Sequence, residues 1–202
     1  YASVQTSLGC PFRCTFCCIN APFGASGIRY WSPRNVVDQI ARLVDDYGIT
    51  NIKIPDEMFT INPARVKEIC EEMWNRNLNE AGLNLWAYAR VDTVKDEAML
   101  ALMREVGFRW LGIGVESGSA HVRQGAEKGR FTEDDIYATV RRVQGHGICV
   151  GANYIFGLPD DTRETMEATL RLACSLNTEW ANFYCAMAYP GSTLHSIAVN
   201  KG

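Results

Sequence analysis

The run SPRNVVDQIARLVDDYGITNIKI, residues 32–54, carries one whole structural cycle. Ser32 supplies an N-cap hydroxyl, and Pro33 sits where a first-turn residue needs no N–H donor. Val36, Val37, Ile40, Leu43, Val44 and Tyr47 then recur at helical spacing, and Gly48 ends the run. Asn51–Ile54 follows as a short β-like segment. The same helix-then-strand alternation can be followed outward in both directions.

Upstream, Ala2–Ser7 reads as a first strand. Downstream, Asn62-Pro63 opens a helix carrying Val66, Ile69, Met73 and Trp74. Leu83–Ala89 is a strand, and the next helix carries Met99, Leu102, Met103 and Val106 up to Gly107. Trp110–Val115 is a strand, and Thr132 caps a helix with Ile136, Val140 and Val143. Ile148–Phe156 is a strand, followed by a helix with Met166, Leu170, Ala173 and Leu176. Trp180–Met187 is a sixth strand. Six β–α cycles on short connections predict an α/β fold with parallel strands. A closed barrel needs eight strands, so the expectation is an incomplete (βα)6 TIM-like barrel, with an open doubly wound sheet as the other possible closure.

The chain has 202 residues, 47% hydrophobic, with a net charge of −3. That suits one domain with one core and lacks the basic footprint of a nucleic-acid binder. No run is long and apolar enough to cross a bilayer. The chain starts at Tyr1 rather than Met and is read as a soluble fragment of a longer protein.

In parallel α/β folds the strand C-termini share an edge where ligands bind. The segments there are unusual. After the first strand comes Cys10-Pro-Phe-Arg-Cys14-Thr-Phe16-Cys17. After the second come Pro55-Asp56-Glu57, and after the third Arg90-Val-Asp92. After the fourth come Glu116-Ser117-Gly118-Ser119, after the fifth Gly157-Leu-Pro159, and after the sixth Tyr189-Pro190-Gly191. Each alone reads as ordinary turn chemistry. Together they predict one shared site.

Eight cysteines, four of them within nine residues, favour a reducing, cytoplasmic compartment and a metal site over a disulfide scaffold. Thiolates suit zinc, copper(I) or iron–sulfur clusters. Structural zinc wants a fourth ligand, and neither a second C-x₂-C nor a histidine pair follows. Cys18 is too close to Cys17 to reach the same cluster without strain and is read as a small buried residue. Cys70, Cys149, Cys174 and Cys185 are read as core, and Lys128 and Arg130 as solvated charges. Trp31, Trp74, Trp86, Trp110 and Trp180 are assigned to the core or a domain interface, and His121, His146 and His195 form no catalytic pairing.

With C-x₃-C-x₂-C at Cys10, Cys14 and Cys17, and Phe16 before the last cysteine, the chain resembles the radical S-adenosylmethionine superfamily over nearly its whole length. The later loops resemble the subgroup often fused to a cobalamin-binding domain, which is similar to methylthiotransferases and Elongator-type enzymes. The resemblance implies that the three cysteines hold a [4Fe-4S] cluster whose open iron binds S-adenosylmethionine, cleaved by one electron to a 5′-deoxyadenosyl radical. It implies that Asp56 and Glu57 meet the methionine amino group and Arg90 its carboxylate, while Glu116 and Ser117 approach the ribose or methionine end. Phe16, Ile155, Gly157, Pro159, Met187 and Tyr189 would border the adenine. It also implies an external donor such as a flavodoxin or ferredoxin, an unknown small-molecule substrate, and possibly cobalamin on an upstream domain, with a substrate-shaping region beyond the sixth strand. The cobalamin signature D-x-H-x-x-G is absent from this chain. The competing reading is a non-catalytic iron–sulfur or zinc module for electron transfer or structure.

Overall fold

The computed structural model describes residues Tyr1–Lys201. Six strands, β1 (Ala2–Ser3), β4 (Asn51–Lys53), β5 (Asn84–Arg90), β6 (Phe108–Glu116), β7 (Cys149–Phe156) and β8 (Trp180–Cys185), form one parallel sheet in that order. It curls into a half-barrel, the incomplete TIM-like barrel expected from the six cycles. A two-stranded antiparallel ribbon, β2 (Ser7–Leu8) with β3 (Arg29–Tyr30), lies outside it.

Helices α1 (Pro33–Tyr47), α2 (Pro63–Asn75), α3 (Glu97–Glu105), α5 (Glu133–Gly145) and α6 (Arg163–Leu176) follow the strands; α4 (Ala120–Gly125) and α7 (Thr193–Lys201) are short additions that the periodicity did not reveal. The caps act where the sequence places them. Ser32 accepts from the Asn35 N–H, Asn62 from Arg65, and Thr132 forms a reciprocal capping box with Asp135.

Alternation along the central strands sorts the two faces. Leu85, Ala87, Ala89, Leu111, Ile113, Val115, Val150, Ala152 and Tyr154 are buried in the main core with the helices. The other parity faces the concave side. Register places Tyr88 beside Gly112 and Gly151, and Arg90 beside Gly114 and Asn153. Among the described residues no helix is long and apolar enough to cross a membrane.

The first strand departs from its expected span. Val4 still donates to the Lys53 carbonyl at 2.9 Å, but the Thr6 N–H goes to the Asp56 carboxylate at 2.7 Å. That side chain takes the donor a continuing ladder would use, and the chain turns off into β2. The sixth strand ends at Cys185 rather than at Met187.

Candidate functional site

The cysteine loop leaves β2 and returns to β3, so the antiparallel ribbon clasps its base. Gly9 is the hinge. Its φ is +91°, and a Cβ there would stand 2.6 Å from the Gly27 carbonyl oxygen, a conformation and an approach that only glycine tolerates. Asn20 accepts from the Cys10 N–H at 3.3 Å and donates to the Phe12 carbonyl at 3.0 Å, tying the loop to itself. Thr15 fixes it from outside, donating to the Ala126 carbonyl at 3.1 Å and accepting from the Leu194 N–H at 2.8 Å.

Beneath this loop lies a cavity of about 310 Å³. Cys10, Cys14 and Cys17 border it, as do Phe16, Asp56, Glu57, Arg90 and Glu116. Five loops far apart in sequence therefore converge, as the shared-edge argument predicts. All three thiols are free. Burial pushes the Cys10 and Cys17 thiols up, with nearby thiols adding to the effect and the Phe12 and Ile19 N–H groups opposing it.

The two neighbouring carboxylates differ. Asp56 is fully buried and saturated: the Thr6 N–H, Thr6 Oγ1 at 2.5 Å and Ser7 Oγ at 2.6 Å all donate to it. Arg65 closes this network by donating to Thr6 Oγ1, the Thr6 carbonyl and the Trp31 carbonyl. Glu57 has a buried Oε2 without a partner. Burial raises its pKa, and the backbone N–H groups of Glu57 and Gly9 only partly offset that.

Arg90 is 4% exposed. Burial works against its charge, but hydrogen bonding to Asp92 and the nearby thiols more than compensate, and its pKa is raised. Glu116 stands at φ +68°, a left-handed conformation costly for a residue with a side chain. It is buried and paired with Lys128 at 2.5 Å. Gly114 makes room for that pair, since a Cβ there would lie 2.5 Å from Glu116 Oε1 and 2.7 Å from Lys128 Nζ.

Ser117 points elsewhere. Its hydroxyl meets Thr169 of α6 at 3.3 Å and accepts from the Ser119 N–H. Phe16 and Ile155 pack with Ala186 on a small apolar cluster of Val122, Ala126 and Leu158. Gly157, at φ +79°, donates to Asp161 and forms a turn with Pro159 beyond it. Met187 and Tyr189 stand 56% and 52% exposed. None of Ser117, Ile155, Gly157, Pro159, Met187 or Tyr189 lines the cavity.

Several readings of the sequence are corrected. Lys128 is not solvated but buried on Glu116, whereas Arg130 is exposed as expected. Cys70 is core, its thiol pushed up to about 12 by burial, but Cys149 is half-buried and Cys174 and Cys185 are exposed. These three lie at strand ends or on outer helix faces, where the apolar pattern of the run did not show which way each side chain points. Cys18 is half-buried rather than buried. Trp31, Trp74 and Trp180 are exposed, while Trp86 and Trp110 stack on each other with centroids 5.1 Å apart. Asn20, Arg65 and Lys128 were missed because their partners lie across the fold, outside any local period.

Residues 4–173 match the model of the Radical SAM superfamily. The chain belongs to that superfamily. An uncharacterized methyltransferase of Pyrococcus horikoshii is 33% identical over 98% of this chain and 42% of its own length. The anaerobic magnesium-protoporphyrin IX monomethyl ester cyclase of Rubrivivax gelatinosus is 30% identical over 92% of this chain and 33% of its own length. The radical SAM chain thus spans less than half the length of these relatives. The radical S-adenosylmethionine methyltransferase TsrM from Kitasatospora setae, solved with cobalamin and a [4Fe-4S] cluster bound, superposes with a TM-score of 0.87. It is 24% identical, over 99% of this chain and 37% of that one.

The donor set fits the family's cluster. Three free thiols border one cavity, yet among the described residues no three Cys, His, Asp or Glu side chains converge on a single ion. A four-iron cube takes each thiolate on a different iron and holds the sulfurs apart, whereas tetrahedral zinc needs convergence.

Proposed function

We propose that this chain is the catalytic core of a radical S-adenosylmethionine methyltransferase acting on a small molecule in the cytoplasm. The observation that carries it is the placement of Cys10, Cys14 and Cys17 on the wall of one cavity that also holds the unpartnered Oε2 of Glu57. In this reading the three thiolates hold a [4Fe-4S] cluster and leave one iron open. When bound, the reduced cluster supplies the electron that splits the sulfonium carbon–sulfur bond.

Glu57 is the residue best suited to a methionine ammonium, because a buried carboxylate oxygen without a donor gains most from a cationic one. Asp56, already saturated, holds the wall and not the ligand. Glu116 presents a buried carboxylate held by Lys128, placed for a ribose hydroxyl, with Ser117 fastening the turn behind it to α6. Phe16 and Ile155 offer an apolar surface for adenine, which Gly157, Pro159, Met187 and Tyr189 extend at the rim. Cobalamin on an upstream domain and a flavodoxin- or ferredoxin-like donor complete the proposal. The methyltransferase relatives support the former.

The test is anaerobic iron–sulfur reconstitution followed by S-adenosylmethionine and a strong reductant. Release of 5′-deoxyadenosine, or of a demethylated cofactor when cobalamin is supplied, is the expected result. A loaded cluster whose spectrum ignores S-adenosylmethionine overturns the reading.

A further inference from the structure

Arg90 closes β5 at a buried position where each guanidinium N–H needs an accounted partner. Its Nε and Nη2 donate to the two Asp92 oxygens at 2.9 and 3.0 Å. Nη2 also donates to the Lys128 carbonyl. Nη1 lies 3.7 Å from Cys14 Sγ. Phe12, from the cysteine loop itself, presents its ring face to the guanidinium with 3.8 Å from Cζ to the centroid.

A carboxylate binds arginine best through a free two-nitrogen edge. One edge of Arg90 is spent on Asp92, and the other is divided between Lys128 and Cys14. No edge is left for a methionine carboxylate, the partner expected from the family pattern. What remains is a fixed positive charge with one N–H aimed at a sulfur that the cluster would use.

We propose that Arg90 is a positioning residue for the cluster: it holds the cysteine loop through Phe12, directs Nη1 to the Cys14 thiolate, and raises the reduction potential of the bound cluster. This rests on the cluster reading above. Hydrogen bonds to ligand sulfurs and nearby charge are two of the terms by which a protein sets such a potential. Asp92, about one-third exposed, opposes Arg90 by partly neutralising it. The two residues therefore act with opposite sign.

The experiment is a redox titration, followed by electron paramagnetic resonance, of the reconstituted protein and its Arg90→Gln, Arg90→Lys and Asp92→Asn variants, with S-adenosylmethionine affinity measured alongside. Arg90→Gln should make the cluster at least tenfold harder to reduce, about 59 mV for one electron, with affinity changed by no more than roughly twofold. Arg90→Lys, which keeps the charge, should recover most of that shift, and Asp92→Asn should move the potential the other way. An unchanged Arg90→Gln potential with affinity weakened tenfold or more makes Arg90 a cofactor ligand and overturns the proposal. If Arg90→Gln takes up no iron, an Asp92→Asn potential that fails to rise overturns it instead. Wild-type protein that takes up no cluster defeats the underlying reading, a result distinct from either.

Discussion

At the β1 end of the half-barrel, Asp56, Thr6, Ser7 and Arg65 are all buried and bonded to one another. At the β8 end, Phe183, Tyr184, Met187 and Tyr189 are each about half exposed, and what holds the segment is backbone: the Ala186 N–H on the Phe156 carbonyl and the Leu194 N–H on the Thr15 carbonyl. The first wall is preorganised by polar groups that must stay paired. The second is tethered but keeps its side chains unpacked. Changes on the first wall should therefore register as lost cluster or lost folding, and changes on the second as altered binding with folding intact.

The largest effect is expected within the cysteine loop. Cys14→Ala should abolish iron uptake after anaerobic reconstitution, since Cys14 borders the cavity and faces Arg90. Cys18→Ala should leave uptake close to wild type, because Cys18 does not line that cavity. Iron and sulfide quantitation on both variants checks this, and equal losses would mean that the ligands are misassigned.

Next comes the pair of adjacent carboxylates. Asp56→Asn keeps the shape but places an amide donor against the donors of Thr6 and Ser7 and leaves Arg65 without its nearby charge. A cost of about 3 kcal/mol in urea denaturation is expected. Glu57→Gln should behave in the opposite way. Its folded pKa is raised, so the ionised carboxylate is a liability once pH exceeds the unfolded value, and removing it leaves stability at neutral pH unchanged or higher. Cofactor affinity should fall about tenfold, the value of one charge-assisted contact. A Glu57→Gln variant that unfolds easily but binds normally would reverse the roles of the two residues.

This contrast also marks how far the sequence could be read. Caps at Ser32, Asn62 and Thr132 were legible because a cap is settled within four residues. The strand order was legible because short β–α connections leave few alternatives. That Asp56 and Glu57 do different work was not, since the partners of Asp56 lie about fifty residues away and appear only once β1 lies against β4. Lys128 was missed for the same reason: its burial depends on the left-handed turn at Glu116, which no local signal announces. Cys174 and Cys185 were misplaced because an apolar run does not reveal which member of it faces out.

The smallest stability effects belong to the β8 end. Met187→Ala and Tyr189→Ala should each change unfolding free energy by no more than about 0.5 kcal/mol, as expected for exposed side chains outside any cap, pair or core. If these side chains border adenine, calorimetric titration of the reconstituted protein with S-adenosylmethionine should still show weaker binding for both, because a ring seated there would bury apolar surface that truncation removes. Glu57→Gln would lose a charged contact and these two an apolar one, so only the former loss should shrink as salt is raised. A Met187→Ala variant that destabilises the fold by more than about 2 kcal/mol would show this wall to be packed like the other, and the distinction between a preorganised end and an open end would fail.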